Sequence, residues 1–500
     1  MKSPIRHHRQ LRLAAAFSAS LVVSGFTACS TNELAGPGAG ASPGDKIINN
    51  RPKLYETRIA AEWEPVAGCL VAWPLHLPRE LLQEIVKKEF LVVVVKDHAA
   101  EADARETFTK WNINLSNVKF VAAAQSDGHY GTRDWGAFSL FNSAGNMSLV
   151  DGKYVDYPLS GFDPGTIHAY LSKIEKPLSF AHDDAAPAKV AELLGLERLE
   201  LPISLTGGNV YTDGHGIAFA TAIILPENRD LKISDDEFFT ITRDRLGISN
   251  FYIVPNFEAI FGAQHIDCVM KLLDEERIIV KEVAKDNPDY AGVEAVVQKL
   301  RSLTNVYGRP YQILRIKTTP YNGTQVPAYT NSLILNKRIF VPLFGVDSDE
   351  PALATWREAM PGYEVIGIPQ QKKNAWTYTD ALHCRTKAIW DAGMLYLRHR
   401  RFDAIVKKQA AYPVEVTIRD YSKTGLRADS LRVYYRSHGE SVWRSEKLVA
   451  SDRVEIFNAK IPDSAGPRIE YYISAEDGSG RRETLPRTAP AGFYEFKIER

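Results

Sequence analysis

Asn146-Met-Ser-Leu-Val-Asp151-Gly152-Lys-Tyr-Val, Asn209-Val-Tyr-Thr-Asp213-Gly214-His-Gly-Ile-Ala and Asn331-Ser-Leu-Ile-Leu-Asn336-Lys-Arg-Ile-Phe share one layout. Each begins with Asn, runs through a short apolar strand to an Asp-Gly or Asn-x turn, and returns in a second apolar strand. Such a turn needs positive φ, which Asn, Asp and Gly tolerate, so each stretch reads as a β-hairpin. Repeated hairpins predict modules arranged around an axis, with loops facing a common centre. Around them, β-branched runs at 91–96, 217–225, 278–283, 312–317, 332–342 and 363–368 alternate with helical stretches at 79–88, 188–194, 290–304 and 386–398. That alternation predicts an α/β domain over residues 51–408.

Beyond residue 411 the pattern changes. Val414-Glu-Val-Thr-Ile, Leu431-Arg-Val-Tyr-Tyr-Arg, Ile469-Glu-Tyr-Tyr-Ile-Ser and Gly492-Phe-Tyr-Glu-Phe alternate apolar and polar residues between Gly, Ser, Asp and Pro turns. Short strands without helices predict a small β-sandwich of immunoglobulin type over 411–500.

The N-terminus reads as an export signal. Lys2, Arg6, Arg9 and Arg12 precede an apolar stretch at 13–26, of signal-peptide rather than membrane-span length. It ends in Phe26-Thr27-Ala28-Cys29, a small residue directly before a Cys, as in the bacterial lipobox. Cys29 is the expected lipidation site of an exported, membrane-anchored lipoprotein. Otherwise the protein is periplasmic or secreted. Residues 30–50, rich in Gly, Ala, Ser and Pro at their start, form a flexible tether after the signal at 1–29.

The chain has 500 residues with 61 basic and 61 acidic side chains, and no basic run after its first dozen residues. That balance argues against a nucleic-acid partner. Of the four cysteines, Cys69 and Cys268 stand in apolar surroundings and read as buried free thiols, with a mutual disulfide as the alternative.

Cys384 differs. In Leu382-His383-Cys384-Arg385-Thr386 it lies between two cations and before the helix expected from Thr386. A helix N-terminus and positive neighbours favour a thiolate. His265-Ile266-Asp267 sets two polar side chains on one face of an extended segment. Arg133-Asp134-Trp135-Gly136 supplies another carboxylate on a loop, and Thr206-Gly207-Gly208-Asn209 reads as a close backbone approach rather than a phosphate loop. Zinc held by Cys384, His383, His265 and Asp267 lacks the short paired spacing of a structural site; no metal and no cofactor are expected.

Taken in order, Thr-Arg133-Asp134-Trp-Gly, Thr-Gly207-Gly208-Asn209-Val-Tyr-Thr-Asp213-Gly214, His265-Ile266-Asp267, Tyr329-Thr330-Asn331-Ser-Leu-Ile-Leu-Asn, Pro342-Leu-Phe-Gly345 and Leu-His383-Cys384-Arg-Thr resemble the Porphyromonas-type peptidylarginine deiminase / agmatine deiminase family. The resemblance spans about residues 55–400. It implies a pentein, a five-bladed α/β propeller of pseudo-fivefold symmetry. It also implies that Cys384 is the nucleophile, His265 the general acid/base, Asp134 and Asp267 the guanidinium carboxylates, and Asn331 an ordering residue. Two departures stand out. Where relatives often place an aromatic residue on the substrate, this chain has Gly131, leaving Tyr130 and Trp135 as neighbouring candidates. The segment 157–164 lacks the arginines that read a C-terminal carboxylate.

The resulting expectation is an exported deiminase converting peptidyl-arginine to peptidyl-citrulline and ammonia through a Cys thiouronium. The alternative is an agmatine deiminase forming N-carbamoylputrescine. Two lesser readings are an inactive surface-binding protein and a Cys–His–Asp hydrolase of peptide bonds.

Overall fold

The computed structural model describes residues 47–48, 57–123, 131–154, 181–258, 264–463 and 466–499. Lys46–Arg500 is one compact unit of mixed α/β structure. Cys29, Tyr130 and 157–164 fall outside the described residues. Among the described residues no helix is long and apolar enough to cross a membrane.

The chain between Arg58 and Trp390 builds five small sheets on one plan. In each, a central strand pairs antiparallel with a short strand and parallel with the strand on its other side. The central strands are Met147–Lys153, Ile217–Thr221, Arg277–Glu282, Arg338–Leu343 and Val66–Ala72. Their antiparallel partners are Phe138–Phe141, Tyr211–Thr212, Met270–Leu272, Leu333–Leu335 and Lys387–Trp390. The fifth sheet therefore joins the two ends of this region, Lys387 lying opposite Leu70. Central strands are buried along most of their length, as Val, Ile and Phe runs covered on both faces require.

Two of the three expected hairpins are present, turning at Asp213-Gly214 and at Asn336-Lys337, where Asn336 has φ 54° and Gly214 φ 73°. The first one is displaced. Asp151-Gly152 is not a turn; Met147–Lys153 runs through it with a register shift. The actual turn is Asn142–Gly145, where the Asn142 side chain accepts from the amides of Ala144 and Asn146. Gly152 serves close packing instead, since a Cβ there would meet the Ile203 carbonyl at 3.0 Å.

The helix expected at 386–398 is absent. Lys387–Trp390 is a strand, Asp391–Gly393 turns with the Asp391 carboxylate accepting from Gly393 N, and Leu395–Arg398 pairs with Ala411–Asp420. C-terminal to this, two sheets share one apolar core that includes Val414, Val416, Ile418, Val433, Tyr471 and Ile473. Ala411–Asp420 alternates buried and exposed residues, the period-two pattern of a strand with one covered face. Arg481 holds this region to the turn, its guanidinium gripping Asp391 at 2.6 and 3.0 Å.

Candidate active site

Each of the five short antiparallel strands is preceded by a turn that carries one of the expected site motifs. Thr132–Trp135 holds Asp134, Gly207–Asn209 the double glycine, and Ile266–Cys268 follows His265 and holds Asp267. Asn331 precedes Leu333–Leu335, and Cys384 precedes Lys387–Trp390. These turns bond to one another in a closed ring. Gly208 N donates to Asp134 Oδ1 (3.1 Å), Ile266 N to Asn209 Oδ1 (3.2 Å) and Thr330 Oγ1 to the Asp267 carbonyl (3.0 Å). Cys384 N donates to Asn331 Oδ1 (3.2 Å), and Arg133 N to the Cys384 carbonyl (3.1 Å).

The ring brings Cys384, His265, Asp267, Asp134 and Asn331 together. Cys384 Sγ receives Asn331 Nδ2 at 3.1 Å and lies 3.5 Å from Asp267 Oδ2. His265 Nδ1 is 3.5 Å from Asp134 Oδ1. Gly208 sits amid these groups: a Cβ there would approach Asp134 Oδ1 to 2.6 Å, His265 Nδ1 to 2.8 Å and Asp267 Oδ2 to 3.2 Å. Only a glycine lets the backbone pass so close. Gly207 is equally constrained, by the Arg133 carbonyl at 2.0 Å from the same hypothetical atom. Asn209 works from behind, its carbonyl oxygen also accepting from the Thr221 amide and hydroxyl.

Burial sets the protonation states. The hydrogen bond from Cys268 favours a Cys384 thiolate, but burial and the carboxylates of Asp267, Asp380 and Asp134 push the thiol up to about 12. Burial disfavours an imidazolium at His265, yet Asp134, Asp267, Glu227 and Glu258 together raise its pKa above the ordinary value. Asp267 is opposed by burial but held below the usual carboxylate range by its bond to His383. The site thus pairs a thiol held neutral with an imidazole whose protonated form is favoured more than in free histidine.

Three expectations need correction. No helix follows Cys384, so no helix dipole acts on it. Arg385 does not face the thiol either: it grips Asp380 and donates to the carbonyls of His76, Asn374 and Ala375. Trp135 is buried in an apolar cluster with Leu70, Val92 and Val190, where it packs the core instead of a substrate.

The sequence reading also missed a buried charge cluster behind Asp267. His383 is clamped between Asp267 Oδ2 (2.7 Å) and Glu62 Oε1 (2.6 Å). Glu62 in turn meets Arg133 Nη1 and Lys271 Nζ, each at 2.8 Å. Glu62 lies in no recognisable motif, and only its partners 71 to 321 residues away reveal its role. Cys268, expected to be a buried free thiol, is buried and free as anticipated, and it lies beside Cys384.

The chain is similar in sequence and fold to known proteins. A Vibrio parahaemolyticus protein named "Putative agmatine deiminase" is 24% identical over 371 residues, covering 66% of this chain and 95% of its own. The solved agmatine deiminase of Enterococcus faecalis matches with a TM-score of 0.55 at 18% identity, over 67% of this chain and 96% of that one. The agmatine deiminase of C. jejuni matches at 0.53 and 16%, with coverages of 67% and 96%. At such identities these structures share the fold. The model of the family described as Porphyromonas-type peptidyl-arginine deiminase matches residues 58–389, and the chain belongs to that family of guanidino-group deiminases.

Proposed function

We propose that this protein hydrolyses a guanidinium C–N bond, with Cys384 as nucleophile and His265 as general acid and base. The observation that carries this reading is the arrangement of Asp134, Asp267, His265 and Cys384 around Gly208. A guanidinium is planar with N–H donors on its edges, so two carboxylates can grip it and hold its central carbon before the sulfur. A bound guanidinium brings a positive charge next to Cys384, which stabilises the thiolate.

As the cation binds, the Cys384 thiol proton is released to solvent water, and attack of the thiolate on the guanidinium carbon then forms a C–S bond and a neutral tetrahedral adduct. His265, protonated, gives its proton to the departing nitrogen, and ammonia leaves. The thiouronium that remains is attacked by water, from which neutral His265 takes a proton. Collapse breaks the C–S bond, the adduct's hydroxyl proton passes to the departing sulfur to restore the thiol, and a neutral ureido product is released. Asn331 orders Cys384 by accepting from its amide and donating to its sulfur.

The names of the relatives favour agmatine as substrate, giving N-carbamoylputrescine. Peptidyl-arginine is the second reading, favoured by the family description. The five like sheets and the ring of turns support a pseudo-fivefold propeller, and the two C-terminal sheets over one core support an immunoglobulin-like sandwich. Export with lipidation at Cys29 rests on the N-terminal sequence.

The test is ureido and ammonia formation from agmatine, free arginine, a peptide with internal arginine and one ending in arginine, with the wild-type protein and Cys384→Ser. Agmatine turnover lost in Cys384→Ser is the expected result. Turnover of peptides alone moves the chain to the second reading, and no ureido product from any substrate refutes the proposal.

A further inference from the structure

Cys268 is neither nucleophile, proton carrier nor guanidinium ligand in the proposed chemistry, yet its thiol lies inside the site. Its Sγ is 3.4 Å from Asp267 Oδ1 and receives Asn331 Nδ2 at 3.6 Å. The ligating atoms of Asp267, Cys268 and Cys384 all lie within 4.8 Å of one another, and all three residues are buried. Cys384 Sγ is 3.5 Å from the other Asp267 oxygen. Tetrahedral zinc, with Zn–S of ~2.3 Å and Zn–O of ~2.1 Å, sets sulfur and oxygen ligands about 3.6 Å apart and two sulfurs about 3.8 Å apart. Each sulfur already lies at about that distance from one oxygen of the Asp267 carboxylate, Cys268 from Oδ1 at 3.4 Å and Cys384 from Oδ2 at 3.5 Å.

We propose that Asp267, Cys268 and Cys384 form a binding site for Zn2+ or a similarly thiophilic dication, which occupies the nucleophile and excludes the guanidinium. The set differs from the one that sequence motifs bring to mind, because Cys268 replaces both histidines. The surroundings suit a metal centre. His383 Nδ1 holds the Asp267 carboxylate at 2.7 Å, and the Asn331 amide reaches both sulfurs. Such outer contacts fix ligand orientation and raise affinity. Two thiolates and a carboxylate leave one net negative charge on the bound ion. The fourth tetrahedral position is left to water. The ion is an inhibitor here and not a cofactor, since it consumes the sulfur that attacks the substrate.

Metal binding stands apart from the proposed activity; only the competition rests on it. The experiment is titration of the full-length protein, kept reduced with a phosphine, with Co2+ as the spectroscopic probe. One equivalent is expected to produce a sulfur-to-cobalt charge-transfer band and tetrahedral d–d bands, both abolished by Zn2+ displacement. Cys268→Ala is expected to lose the charge-transfer intensity of one sulfur and to weaken binding by more than the ~10–100-fold that loss of a supporting group costs. Cys268→Ser, closer in volume, replaces it if the alanine variant does not fold. Zn2+ is expected to inhibit guanidinium hydrolysis reversibly, with inhibition relieved by a chelator and weakened in the Cys268 variant. Absence of the charge-transfer band, or cobalt binding unchanged in both Cys268 variants, overturns the proposal. A protein that binds cobalt through both sulfurs but turns over no guanidino compound upholds this site and refutes the function proposed above.

Discussion

Adding one methyl group at Gly208 tests whether the cradle around it is where the chemistry happens. The new Cβ of Gly208→Ala would lie 2.6 Å from Asp134 Oδ1 and 2.8 Å from His265 Nδ1, below the 3.0 Å that real Cβ atoms respect. Asp134 must withdraw by at least about 0.4 Å and His265 by about 0.2 Å, and ordinary van der Waals contact, which begins at 3.4 Å, asks for about 0.8 Å and 0.6 Å. Both groups would be displaced from their present positions, one the proposed carboxylate partner of the guanidinium and the other its proposed proton donor. Misplacement of catalytic groups by about 1 Å costs on the order of 100-fold, so a loss of about 10–100-fold in kcat/KM is expected. Overpacking costs about 1–3 kcal/mol of stability, which leaves the variant folded at room temperature. The assay is ammonia release from agmatine, with Tm measured alongside. Wild-type kcat/KM in a folded Gly208→Ala protein would refute the placement of the site.

Three further outcomes follow from the electrostatics. With Cys384 pushed up to about 12, iodoacetamide should alkylate the substrate-free enzyme slowly, the rate rising about tenfold per pH unit between pH ~7 and ~9; a plateau below neutrality would contradict it. Burial pushes Glu227 from 4.5 to about 7, so its cost to folding is absent below pH 4.5 and fully developed above pH 7. Glu227→Gln should then stabilise the protein by about 3 kcal/mol well above pH 7 and leave it unchanged in acid, read from urea unfolding at both pH values. Glu62→Gln removes the charge opposite Arg133 and Lys271 and should destabilise the protein by about 3–5 kcal/mol in the same assay, because two buried cations lose their counter-charge.

The elements that were legible in the sequence are those whose pattern is local. The strand Gln312–Lys317 and the hairpin at Asn336 follow from β-branched runs and a residue that tolerates φ of 54°. The site motifs were legible for the same reason: each is a short turn with its polar side chains in consecutive positions. What failed depended on distant partners. Thr386–Arg398 carries Ala388, Ile389, Leu395 and Leu397 at spacings that suit a helix or a strand, and pairing with Val66–Ala72 and Ala411–Asp420 decides for strands. Asp151-Gly152 has the composition of a turn, but its glycine answers to the Ile203 carbonyl on the neighbouring strand. Cys268 read only as a buried free thiol because no local feature announces that its neighbour in space is Cys384.

The central claim is a covalent bond between Cys384 and a guanidinium carbon, and acid quenching during agmatine turnover tests it directly. Intact mass and peptide mapping should find the peptide bearing Cys384 heavier by agmatine less ammonia, an adduct absent from the unreacted enzyme and lost on prolonged incubation. Ammonia release with no such adduct on Cys384, or an adduct carried by another residue, would contradict the account.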